Sequence, residues 1–151
     1  MARPTTELIL ALRATADRLR RGARYRWSSF AHCNCGNLVQ AVTALSPEEI
    51  TEAAFSSPGD WGQQAREFCP GTGYPLEYVF QRLLELGLDP DDFGHLERLS
   101  DPAVLRRLGR SVELHHNRRQ DVVVYLRAWA DLLESESPTP AGEPELPVAA
   151  E

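Results

Sequence analysis

The stretch Pro75-Leu76-Glu77-Tyr78-Val79-Phe80-Gln81-Arg82-Leu83-Leu84-Glu85-Leu86-Gly87 carries the most regular apolar face in the chain. Leu76, Val79, Phe80, Leu83 and Leu84 recur at three- and four-residue steps, which places them on one side of an α-helix. Proline at the first helical position sacrifices no hydrogen bond, and glycine just past the last periodic residue is a common helix stop. The same punctuation returns on both sides of this segment, and its recurrence predicts an all-α fold.

Downstream, Asp89-Pro90 and Asp101-Pro102 each pair an aspartate cap with proline at the first helical position. They predict two short helices, one holding His95 and Leu96, the other Val104, Leu105 and Leu108. Asn117 with Gln120 should cap a last helix running to about Glu134, with Val122, Tyr125, Leu126, Trp129, Leu132 and Leu133 facing the core. Upstream, Ser46-Pro47-Glu48-Glu49 reads as a capping box opening a helix over about Pro47 to Phe55. Asp60 caps a further helix, with Gln63 placed to reach back, ending near Phe68 at Cys69-Pro70. The first helix starts at Thr5 or Thr6, stops at Gly22, and turns Leu8, Ile9, Leu12, Ala16 and Leu19 inward.

Together these signals give a compact bundle of about six or seven mostly short helices over residues 1–134. Residues 135–151, acidic and proline-rich, lack the large apolar groups needed to offset ordering entropy, so a disordered tail is expected there. Between Arg24 and Phe30 the period changes to two, with Tyr25 and Trp27 alternating with arginines. That pattern predicts an extended segment or one short strand whose aromatics pack inward.

With 151 residues and 42% hydrophobic content, the chain can bury a core without metal or disulfide support. Its formal charge of -6 argues against general affinity for nucleic acid, despite the arginine-aromatic alternation. All basic residues other than histidine are arginine. No run approaches the roughly 18 apolar residues of a membrane span, and three cysteines without an export signal fit a soluble cytoplasmic protein.

Chemistry concentrates in His32-Cys33-Asn34-Cys35-Gly36. Asn34 should cap a helix carrying Leu38, Val39, Val42 and Leu45, which puts Cys35 among unpaired N–H groups that favour a thiolate. Gly36 is read as the residue that lets the backbone turn. Zinc in proteins takes four soft or borderline ligands, so Cys33, Cys35 and Cys69 with one of His32, His95, His115 or His116 could form a site for zinc, or less directly for iron. The leading expectation is therefore a Cys/His metal-binding protein. The alternative is a metal-free helical module for a protein or small-molecule partner. A third reading makes Cys35 a nucleophile, with a nearby histidine as base and Asn34 or Gln40 as the orienting amide. Two local features remain. Asp60-Trp61 reads as a cap plus a core anchor, and Arg118-Arg119 opposes the dipole of the last helix, which calls for a carboxylate or anion to hold it.

Overall fold

A computed structural model describes residues 2–68, 71, 75–109 and 111–137. Among them the chain is all-α: α1 (Thr6–Arg20), α2 (Asn34–Val42), α3 (Pro47–Ala54), α4 (Trp61–Arg66), α5 (Leu76–Leu86), α6 (Pro90–Arg98), α7 (Pro102–Leu108) and α8 (Arg119–Glu136). Where a disordered tail was expected from residue 135, α8 carries through Ser135 and Glu136; the rest of that expectation, residues 138–151, lies outside the described residues.

The helices start where short-range chemistry directs them. Thr5 Oγ1 accepts from Leu8 N, and Ser46 and Glu49 close a reciprocal capping box. Asp60 Oδ1 accepts from Gln63 N at 2.8 Å, while Gln63 Nε2 donates to Glu67 Oε2 at 3.4 Å. Asp89 and Asp92 form a second box, and Asp101 caps α7 through Ala103 N. The last helix departs from the Asn117 expectation. Its cap position is Arg118, with no side-chain bond, and the Asp121 carboxylate accepts from His115 N, six residues earlier in the preceding connection.

α1 and α8 pack antiparallel as the broadest helix pair. Arg119 of α8 donates to Leu19 O at the end of α1, and Arg13 of α1 pairs with Asp131 and Glu134 near the end of α8. Arg119 thus finds a C-terminal carbonyl of a neighbouring helix, where a carboxylate or anion was expected for the Arg118-Arg119 pair. α1 buries Leu8, Leu12, Ala16 and Leu19, and α8 buries Val122, Leu126, Trp129 and Leu133. Each large side chain sequestered this way contributes about 1.5–3 kcal/mol.

The other half of the core is aromatic. Phe30, Trp61, Phe80 and Phe93 run in successive edge-on contacts with ring centroids 5.6–6.0 Å apart, an arrangement that matches ring edges to faces. Trp61 is the core anchor its sequence context suggested, 2% exposed with Nε1 bonded to Phe30 O. The N-terminal residues clamp α5: Arg3 N donates to Gly87 O and Thr5 Oγ1 to Leu86 O. Gly87 has φ 117°, and a Cβ there would lie 3.0 Å from Arg3 O, so both conformation and space call for glycine.

Candidate functional site

The His32–Gly36 stretch enters α2, but Cys33, not Asn34, is the cap; its Sγ accepts from Gly36 N at 3.3 Å. Asn34 is thereby the first residue of the helix and fully buried, and its side chain joins four parts of the chain. Its Oδ1 accepts from Tyr25 Oη at 2.7 Å. Its Nδ2 donates into a cluster of three carbonyls, Leu96 O at 3.0 Å, His116 O at 3.1 Å and Glu97 O at 3.2 Å. Leu96 and Glu97 belong to the last turn of α6, where carbonyls lack helical partners. That helix ends at Leu99 with φ 52°, a left-handed cap without glycine, and the Asn34 amide and Trp27 Nε1 serve carbonyls that would otherwise be orphaned.

The complementary end is served from the same helix. Cys35 N donates to Glu97 Oε2 at 2.6 Å, so the open amide at the start of α2 faces a carboxylate from α6. Desolvation pushes the Glu97 carboxyl above its usual range, partly opposed by the Cys35 amide and the two thiols. Glu97 is the principal site residue that sequence reading missed. One signal pointed to it: an acid in the last turn of a helix opposes the dipole and calls for an outside partner.

Gly36 has a different role from the one expected. It sits inside α2 rather than in a turn, and a Cβ there would fall 2.1 Å from Phe30 O and 2.5 Å from the Ala31 carbonyl carbon. Glycine is needed because the preceding loop passes directly against the helix. The same loop replaces the expected strand. Residues 23–33 run through turns, with Arg26 N bonded to His32 O, and no strand forms among the described residues. Tyr25 packs inward as expected, but Trp27 remains 37% exposed, its ring 4.7 Å from that of His116.

The metal-binding expectation is corrected by these positions. Among the described residues no three His, Cys, Asp or Glu side chains are grouped to hold a metal ion. Cys69 lies outside the described residues. The four imidazoles do not converge on the two described sulfurs: His32 Nδ1 contacts Ser29 Oγ, His95 Nδ1 contacts Ser100 Oγ, His116 stacks on Trp27, and His115 is exposed.

The nucleophile reading fails on the same geometry. Cys35 Sγ is buried and donates to Phe93 O at 3.2 Å; burial, then the Glu97 charge, raises its pKa well above that of a free thiol. Cys33 is raised for the same two reasons, in the same order. The helix-start field that should favour a thiolate is already taken up by Glu97. Both proposed orienting amides are committed as well, since Gln40 Nε2 donates to Ala31 O at 2.6 Å and Asn34 holds the junction described above.

What the stretch builds is a buried polar junction that locks the start of α2, the end of α6, the 23–33 loop and the 112–118 connection together. No helix of the described residues is long and apolar enough to cross a membrane. The chain matches no family model, no curated protein and no solved structure.

Proposed function

We propose that this chain is a helical docking module that takes an acidic segment of a protein partner on the face around Trp27 and His116. One observation carries the reading. Arg24 and Arg26 precede Trp27 in the same loop and Arg118 follows His116 in the connection to α8; all three are exposed, and none has an ion pair or hydrogen bond from its side chain among the described residues. Arg24 and Arg26 flank Tyr25, whose hydroxyl lies 3.1 Å from His116 O, and Arg118 follows His116 by two positions. The positive side chains are thus carried on two segments that meet at the buried junction.

Exposed arginines on the two segments that carry Trp27 and His116 suit carboxylates followed by an apolar or planar group. Charge complementarity favours a short acidic stretch over a nucleic acid strand. A long phosphate polymer would have to continue beyond this face across a chain of net charge -6. Trp27 is held in place by its Nε1 bond to Glu97 O at 3.2 Å, so the surface is ordered before any partner arrives.

The test is fluorescence anisotropy with a labelled peptide of about ten residues, mostly glutamate around one leucine, run beside a ten-nucleotide oligothymidylate. The reading expects peptide binding that weakens with salt and falls about tenfold or more in Arg24→Gln/Arg26→Gln/Arg118→Gln, from three exposed ion pairs of roughly 0.5–1 kcal/mol each. Equal peptide binding by the triple variant, or tighter binding of the oligonucleotide, would overturn it.

A further inference from the structure

The sequence that follows α8 has the composition of the ligand that the Trp27 face suits. Residues 138–151 read PTPAGEPELPVAAE, in which Glu143, Glu145 and Glu151 are the charged groups and no basic residue occurs. Leu146 comes directly after Glu145, and Pro147 and Val148 extend the apolar part. A carboxylate followed by an apolar group is the order argued above for the partner. On the receiving side, the exposed Arg, Asp and Glu residues of segments 23–33 and 112–118 are Arg24, Arg26 and Arg118 against one acid, Glu113. The charges of the two surfaces are therefore opposite.

Chain length sets what the segment can reach. α8 has 18 residues, so at 1.5 Å per residue its ends lie about 27 Å apart, with Arg118 at the starting end. Glu136 closes the helix, and Glu145 and Glu151 follow it by nine and fifteen positions. At 3.1 Å per residue, the rise of an extended proline-rich chain, those two residues can stand roughly 28 Å and 46 Å from the helix end. A chain that turns back along α8 brings Glu145 and Leu146 level with Arg118, and the residues after them have length to cross to Trp27. We infer that residues 145–151 of this same chain dock on the Trp27 face, so that an acidic partner segment must displace them. The inference rests on the docking reading above and supplies its regulation: the tethered segment competes at an effective concentration on the order of millimolar, which lets weak contacts hold the face.

The test compares the full chain with its Glu143→Gln/Glu145→Gln/Glu151→Gln variant, using the labelled glutamate-rich peptide as probe. ¹⁵N spectra of both chains follow the Trp27 indole N–H, assigned by its loss in Trp27→Phe. The variant should bind the peptide about threefold or more tighter than the unaltered chain, and the gain should vanish when Arg24, Arg26 and Arg118 are also changed to glutamine. Its Trp27 signal should move from the unaltered position, by the same amount after tenfold dilution. Unchanged peptide affinity with an unmoved Trp27 signal would overturn the inference and leave the docking reading standing. A Trp27 shift that fades on dilution would assign the segment to a second copy and overturn it as well. A Trp27 shift that survives dilution, with no peptide binding by either chain, would uphold the internal contact while removing the acidic partner.

Discussion

Replacing Asn34 by alanine should destabilise the protein by about 2–4 kcal/mol, and the figure follows from the bonds that the side chain makes. Its two N–H groups serve Leu96 O, Glu97 O and His116 O, and its oxygen takes the Tyr25 hydroxyl proton. Three buried hydrogen bonds at a net value of roughly 1 kcal/mol each give about 3 kcal/mol. Two relaxations reduce the loss: the Tyr25 hydroxyl can turn to His116 O, and Glu97 O keeps its bond from Trp27. The cavity left by the amide adds to it. In a chain of this size the change corresponds to a fall in Tm of roughly 5–15 °C. Urea unfolding followed by far-ultraviolet circular dichroism measures it, and Tyr25→Phe with the double variant completes a cycle whose coupling should be at least about 0.5 kcal/mol. A cost below about 1 kcal/mol for Asn34→Ala, or strict additivity with Tyr25→Phe, would refute the junction as an energetic unit.

Two further outcomes are expected. Burial raises the Glu97 carboxyl pKa in the folded state, so the protonated form favours folding; that stability is fully present below the ordinary carboxylate range near 4.3 and is lost as pH rises through the folded value. Glu97→Gln should therefore lose less stability than the wild type between acid and neutral pH. The difference between their urea profiles cancels the titrations of Asp92 and His32, and a parallel pair of profiles would rule the effect out. Gly36→Ala should cost more than about 3 kcal/mol, because the added methyl meets Phe30 O and the Ala31 carbonyl, both backbone. Near wild-type thermal stability in that variant would show that the loop is not pressed against α2.

Helix starts were readable because they depend on residues three apart. Ser46 with Glu49, Asp60 with Gln63, and Asp101 before Pro102 carry their own partners in the text. The period of two from Arg24 to Phe30 misled because alternation makes a strand only when another strand pairs with it, and the chain provides none there among the described residues. Of the candidate site, the text showed where thiols and imidazoles lie but not which long-range neighbour would reach them. Cys35 looked like a thiolate because its helix-start amide seemed open, whereas Glu97, 62 residues away, supplies the charge. Gly36 looked like a turn because glycine has that use, while the close passage of Phe30 and Ala31 is a tertiary fact. Trp27 looked like core, yet its bond to Glu97 O holds it at the surface beside His116.

The most direct measurement is the rate at which Cys33 and Cys35 are alkylated in the folded protein near neutral pH, mapped peptide by peptide and compared with the rate in denaturant. Both thiols are 2% exposed or less, and burial raises the pKa of each. A structural junction predicts protection of both by about 100-fold or more relative to the unfolded chain. Fast labelling of either residue in the native state would contradict it and return the Cys33-Asn34-Cys35 stretch to reactive chemistry.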